Sequence, residues 1–217
     1  ITMRQYLKPS DPAENDLINR INVLCNTVEY DWFTKGGQNS LYWHWSPTTG
    51  WQMNFRIEGY NETLITYVVA ATSVTHPIPA IAYHEGYARS GAIKNGNSYY
   101  GIKLPLGEPY GGPLFFSQYS YLGLDPRNLS DIYANYWEQN VNHSLINFTY
   151  CKTNPRNYIG YSEQCWGLTA TDNPWGYTAH SPTNDLGVIS PTAAVSAIAF
   201  TPTQSMNAIR FFYYTLG

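Results

Sequence analysis

The stretch "DPAENDLINRINVLCNTVEYDWF", residues 11–33, decides the fold class. Asp11-Pro12-Ala13-Glu14 has the form of a capping box with proline at the first helical position, where its missing N–H costs nothing. Behind it Leu17, Ile18, Ile21, Leu24, Cys25 and Val28 recur at helical spacing and form one apolar stripe. The helix should run to about Phe33, with Gly36-Gly37 stopping it. Further periodic segments lie near 59–72, 78–88, 114–121, 130–150, 190–199 and 202–215, and Ser190-Pro191 and Thr201-Pro202-Thr203-Gln204 repeat the proline-bearing start. No strand-like alternation of comparable length competes, so the expected class is all-α with short hairpins at most.

Long loops at 34–58, 89–113 and 151–189 separate these helices and are rich in Gly, Pro, Asn, Tyr and Trp. Loops of that length in a compact domain are functional or disordered, and aromatic content argues against disorder. Helices carrying decorated loops fit an (α/α)6 toroid, in which inner and outer helices alternate around a central cleft. Seven helices close only part of such a ring, so residues 1–217 read as roughly the second, C-terminal half of a single barrel domain. The N-terminal half is then the missing structural partner.

Composition narrows the chemistry. Tyr (20), Phe (8) and Trp (7) make up 16% of the chain while charged residues fall to 12%, so the surface must be largely uncharged polar and aromatic. Sugar clefts have this character, because a pyranose shows an apolar face to a ring plane and its hydroxyls need polar partners; most of the rings still belong to the core. A net charge of −3 offers no basic stripe for a phosphate backbone, which argues against nucleic acid. The apolar run Leu64–Ala71 is too short to span a bilayer, and the first residues lack a signal pattern, although a leader could have been removed.

Cys25, Cys151 and Cys165 have neither zinc spacing nor a C-x-x-C motif; Cys151 and Cys165 could pair or stay as buried thiols. The histidines are scattered, His84-Glu85 lacks the second histidine of H-E-x-x-H, and no nucleophile elbow, phosphate loop or dinucleotide fingerprint occurs. No cofactor and no metal are therefore expected. The four N-x-S/T sequons are what chance gives in a chain so rich in Asn.

Glu62, in Gly59-Tyr60-Asn61-Glu62, precedes the run Leu64-Ile65-Thr66-Tyr67-Val68-Val69. There it is either a partner of the helix dipole or, if the surrounding rings desolvate it, a general acid. Around it the sequence gathers Tyr42, Trp43, His44, Trp45 and Trp51, of which one or two should be stacking platforms and the others packing, with His44 donating to a sugar hydroxyl. Asp172 stands in Trp166-Gly167-Leu168-Thr169-Ala170-Thr171-Asp172-Asn173-Pro174-Trp175-Gly176-Tyr177, where it either shapes a turn or serves a site built with Trp166, Trp175 and Tyr177. Asp185 has the same ambiguity. Glu29 and Asp31 end the first helix, where the dipole disfavours carboxylates; a salt bridge is the simpler role for Glu29, and Asp31 could reach a cleft.

The ordered motifs Leu41-Tyr42-Trp43-His44-Trp45-Ser46-Pro47, Gly59-Tyr60-Asn61-Glu62, Trp166-Gly167-Leu168-Thr169-Ala170 and Ile189-Ser190-Pro191-Thr192-Ala193-Ala194 resemble a bacterial glucoamylase-like family that includes glycoside hydrolase family 144. The resemblance spans nearly the whole chain. It implies an (α/α)6 barrel, a periplasmic or secreted bacterial protein, a β-1,2-glucan substrate and an inverting hydrolytic mechanism. Asn61-Glu62 matches the family motif and puts Glu62 at the position of a catalytic acid, with Asn61 beside it as a substrate contact. Asp172 is the first choice of second carboxylate and Asp31 the second. Two other classes stay open: a polysaccharide lyase on the same toroid, which the low basic count disfavours, and a glycan-binding protein without catalysis.

Overall fold

The computed structural model describes residues 2–217. It divides into two compact units, one of residues 2–59, 63–92 and 122–124, the other of residues 60–62, 93–121 and 125–217.

The first unit contains α1 (Thr2–Tyr6), α2 (Pro12–Asn26) and α3 (Leu64–Ala71). α2 starts where the sequence places it: the Asp11 carboxylate accepts from the amides of Ala13 and Glu14 at 2.9 and 3.2 Å. The reciprocal half of the box is absent, because Glu14 takes the amide of Lys8. The helix ends at Asn26, short of the expected Phe33. Thr27 turns its hydroxyl onto the Leu24 carbonyl at 2.9 Å, and Asp31 then caps a separate 3-10 turn, Trp32–Thr34, closed by Lys35 at φ 53°. The segment expected as helix from 59 begins only at Leu64, since Gly59 at φ 85° lies outside helical geometry. Tyr67 organises the core of this unit. Its hydroxyl donates to the Ile57 carbonyl at 2.7 Å and accepts the Leu41 amide at 2.9 Å, so one α3 side chain pins two points of the loop before it. A wide helical turn at Ala82–Tyr87 packs Tyr87 onto Tyr67, and Gly86 there is obligatory: an added Cβ would lie 2.6 Å from the Asn39 carbonyl.

The second unit is built on α4 (Tyr136–Thr153), α5 (Pro191–Ser196) and α6 (Pro202–Phe211). Asn135 caps α4 by accepting the Glu138 amide at 2.9 Å, and Asn154 ends it at φ 49°. The start falls after residue 130 because Asp131 folds its carboxylate over the amides of Tyr133 and Ala134 and holds a turn. The expected 114–121 helix is two 3-10 turns, Leu114–Ser117 and Tyr119–Leu122. Trp166, Leu114, Leu168, Tyr150, Ala194 and Ala208 form the core. Two short antiparallel hairpins, β1 (Ser98–Tyr99) with β2 (Ile102–Lys103) and β3 (Ala170–Asn173) with β4 (Gly176–Ala179), complete the unit. The chain is thus mainly helical, with hairpins where the loops were expected. Cys151 and Cys165 are buried thiols, and burial pushes Cys151 up to about 12. Among the described residues no helix is long and apolar enough to cross a membrane, and no cluster of His, Cys, Asp or Glu could hold a metal.

Candidate active site

Glu62 belongs to a tripeptide, Tyr60 to Glu62, that is anchored at both ends. Tyr60 is fully buried; its hydroxyl donates to Asn140 Oδ1 at 2.9 Å and lies 3.2 Å from the hydroxyl of Tyr121 and 3.3 Å from that of Ser117. Burial pushes the Tyr60 phenol up to about 12, which keeps it a donor throughout the working range. Its ring stacks on Tyr136 of α4. At the other end the Ser120 hydroxyl donates to the carbonyl of Glu62 at 2.6 Å. The half-buried Glu62 side chain therefore leaves a backbone fixed two residues before it and at its own carbonyl.

Beneath Tyr60 the polar chain continues to His143. Nε2 of His143 faces the Gly112 carbonyl at 3.1 Å, and a carbonyl only accepts, so Nε2 carries the proton and Nδ1 accepts the Ser117 hydroxyl at 2.8 Å. The adjacent Gly111, at φ 98°, leaves room for that ring; a Cβ there would sit 2.1 Å from His143 Cδ2. A neutral buried imidazole thus supports the Ser117 turn, and the next turn carries Ser120 and its bond to Glu62.

The same 3-10 turns help line a cavity of about 380 Å³. Phe115, Gln118 and Tyr119 line it from the 3-10 turns, Thr169, Ala170 and Tyr177 from the β3–β4 region, and Thr192, Ala193 and Ser196 from α5. Ala170 and Tyr177 belong to one face of the hairpin. Asp172 shares that face, being two residues from Ala170 and directly opposite Tyr177 in register. Turn formation falls to the next residue: Asn173 Oδ1 accepts the Trp175 amide at 2.9 Å and its Nδ2 donates to the Thr178 hydroxyl at 2.9 Å. Among the described residues the exposed carboxylate of Asp172 has no hydrogen bond or ion pair. A turn role for Asp172 is thereby replaced by a free carboxylate beside a pocket.

Several expected site residues are structural. Trp166 is 0% exposed, packs edge-on against Phe148 and donates its indole N–H to the Gln204 carbonyl at 3.3 Å. A ring with no free face cannot stack on a sugar, so Trp166 is corrected from platform to core. Tyr42 is also buried, its hydroxyl donating to Gln38 Oε1 at 2.6 Å and its ring edge-on to Trp51. Trp51 is half-buried between Tyr42 and Phe33. Asp31 is not at a helix C-terminus: it accepts the Trp32 amide at 3.0 Å and pairs with His76 Nδ1 at 3.2 Å, which gives its carboxylate a local task. Asp185, buried, accepts the hydroxyls of Tyr161 and Tyr150 at 2.7 and 3.0 Å and is a core tie.

The exposed rings fall into separate groups. In the first unit Trp43 (57% exposed) stands beside His44 and Phe55, and Trp45 meets Trp32 edge-on. Nδ1 of His44 is buried with no hydrogen-bond partner among the described residues. In the second unit Trp175 (79% exposed) tips the hairpin and Tyr177 projects along it. Asn61 is half-buried between the two anchors of its tripeptide. Sequence reading missed Phe115, Gln118 and Tyr119; the aromatic run Phe115-Phe116-Ser117-Gln118-Tyr119 was the available signal, but helical periodicity absorbed it. It missed Trp32 as well, a ring that only the broken first helix releases.

The second unit thus combines a Glu62 held through its backbone, an Asp172 with no partner among the described residues, and a neutral cavity that mixes rings with hydroxyls and an amide. Residues 54–217 match the family named Glycoamylase, described as "Putative glucoamylase", and the chain belongs to that family. It is 39% identical over 237 aligned positions to an exo β-1,2-glucooligosaccharide sophorohydrolase (non-reducing end) of Parabacteroides distasonis, covering all of this chain and 33% of that one. The endo-β-1,2-glucanase of Chitinophaga pinensis, solved with sophorotriose and glucose, superposes with a TM-score of 0.94 at 52% identity, covering 99% of this chain and 53% of that one. A β-1,2-glucanase structure from Parabacteroides distasonis gives 0.93 at 39% identity, with coverage of 100% and 34%. The chain thus spans between a third and about half of the length of these relatives.

Proposed function

We propose that this chain is the acid-bearing part of a glycoside hydrolase that cleaves β-1,2-glucan. The observation that carries the reading is the double anchoring of Tyr60–Glu62, in a unit that also holds a neutral, ring-lined cavity and, on the hairpin face that lines it, Asp172. In an inverting mechanism Glu62 protonates the departing glycosidic oxygen while a second carboxylate removes a proton from the attacking water, the two standing ~6.5–9.5 Å apart to leave room for it. Asp172 is the base candidate within this chain. Fixing the backbone on both sides of Asn61 limits the positions Glu62 can sample, which is how a scaffold contributes orientation to proton transfer. Each unit has exposed rings available to stack on sugar, Trp43 and Trp45 with His44 as a polar contact in the first, Trp175 and Tyr177 with Asn61 as a polar contact in the second.

The relatives named as β-1,2-glucan hydrolases support the substrate class, and their greater length supports an (α/α)6 barrel of which these helices are one half. The apolar flank of α2 supports the same reading: Leu17, Val23 and Leu24 are exposed, and no α2 residue is buried. A periplasmic or extracellular bacterial location belongs to the same proposal, since a glucan polymer too large to cross the inner membrane would be met there. No Lys or Arg lines the cavity, which disfavours a lyase that must neutralise a uronate. The test is to incubate the full-length protein with linear β-1,2-glucan and, separately, with a starch-type α-glucan, and to follow new reducing ends by proton NMR. β-1,2-specific release of the inverted α-anomer is expected. An ultraviolet-absorbing unsaturated product would identify a lyase, and binding without release a glycan-binding protein.

A further inference from the structure

We propose that the cavity between the Leu114–Tyr119 turns, the β3–β4 hairpin and α5 is a binding subsite for one glucosyl unit, held by the rings of Tyr119 and Tyr177 and by Gln118. The proposal rests on the hydrolase reading and says where in this half of the protein the glucan is gripped. A volume of about 380 Å³ accommodates a pyranose with the water that bridges it, and lies at the low end of the ~300–1,000 Å³ of small-molecule sites. Its chemistry is selective. The lining contains no ionised side chain, which suits an uncharged ligand and rejects phosphate or uronate. Tyr119 and Tyr177 are 60% and 71% exposed although each lines the cavity, so both have ring surface to offer.

The parts are preorganised. Phe115 packs against Tyr119 with ring centroids 5.3 Å apart and limits the tyrosine's rotation. Gln118 donates its side-chain N–H to the Ala193 carbonyl at 3.0 Å, which fixes the amide and leaves Oε1 to accept from a ligand hydroxyl. The Thr169 hydroxyl accepts the Phe115 amide at 3.1 Å and keeps its own proton to donate. Thr192 and Ser196 add hydroxyls at the exposed side. Donors, acceptors and rings thus converge from three segments distant in sequence, as ring-shaped polyols require. Because Ser120, next to Tyr119, bonds the Glu62 carbonyl, occupancy of this subsite bears directly on the segment that holds the acid.

The test uses the full-length protein and β-1,2-glucooligosaccharides of increasing length. Tyr119→Ala and Tyr177→Ala should each raise KM about five- to tenfold on chains long enough to fill the subsite, with little change in kcat and none in KM for the shortest substrate cleaved. Tyr177→Phe, which keeps the ring, should lose clearly less affinity on the long chains than Tyr177→Ala. Unchanged KM at every length in both alanine variants overturns the subsite while leaving the hydrolase reading intact. So does an equal loss on short and long chains accompanied by a lowered melting temperature, which is the signature of packing. If the unaltered protein cleaves no β-1,2-glucan at any length, the hydrolase reading falls first and the subsite with it.

Discussion

His143 shows how a single residue supports the acid without touching it. Burial lowers its pKa from 6.5 to about 4, against the smaller raising effect of the Gly112 carbonyl, so the ring stays neutral in the folded state where an unfolded histidine would already be charged. The sign follows: a depressed folded-state pKa means the unfolded chain binds more protons between the two values, so the stability is fully present above 6.5 and lost as pH falls towards 4. The difference amounts to about 3 kcal/mol. Urea unfolding at pH 7 and pH 4.5 should show that loss for the native protein and a smaller one for His143→Gln, which keeps hydrogen-bonding capacity but does not titrate. Equal slopes in the two proteins would contradict the neutral-imidazole account. None of this was legible in the sequence, where His143 is one of five scattered histidines. Its role depends on Ser117 and Gly112, which reach it only through tertiary packing. The place of Glu62 just before an apolar helix was legible because that signal is local.

Elements were legible where the code is local and obscure where it is not. The start of α2 followed from Asp11 and Pro12, and those of α5 and α6 from their prolines. The end of α2 was misread because Asp31, apparently a last-turn residue, caps a new turn. The loop at 151–189 hid a hairpin: Asp172 and Tyr177 face each other only once Asn173 closes the turn, and a run with several turn-forming residues does not say which one does. Asn173→Ala removes the acceptor for the Trp175 amide and the donor to Thr178. Amide hydrogen exchange across Thr171 to Thr178 should accelerate severalfold with global stability reduced by no more than about 1 kcal/mol. Unchanged exchange would mean that strand pairing alone holds Asp172 beside Tyr177.

At the scale of the molecule, the long aromatic loops hold 3-10 turns, β-bridges and two hairpins, and the low charge is reflected in a cavity lined by neutral groups. The expectation of a partial helical domain agrees with relatives of two to three times the length, and the exposed apolar residues of α2 have a natural explanation in the remainder of the fold. Composition pointed to sugar, in keeping with relatives named as β-1,2-glucan hydrolases, but it does not tell platforms from core rings. Rings such as Trp166 and Tyr42 look identical in sequence to Trp175 and Trp43, and only packing separates those with a free face from those without one.

Whether Glu62 supplies the proton to the leaving oxygen is read directly from the turnover of full-length Glu62→Gln on β-1,2-glucan, measured beside its oligosaccharide affinity and melting temperature. Glutamine keeps the size and hydrogen bonding but has no carboxylic proton, so kcat should fall by ~10²–10⁴-fold while affinity and melting temperature stay close to those of the unaltered protein. Near-normal turnover in a folded, glucan-binding variant would contradict the account and reduce Glu62 to a partner of the helix dipole.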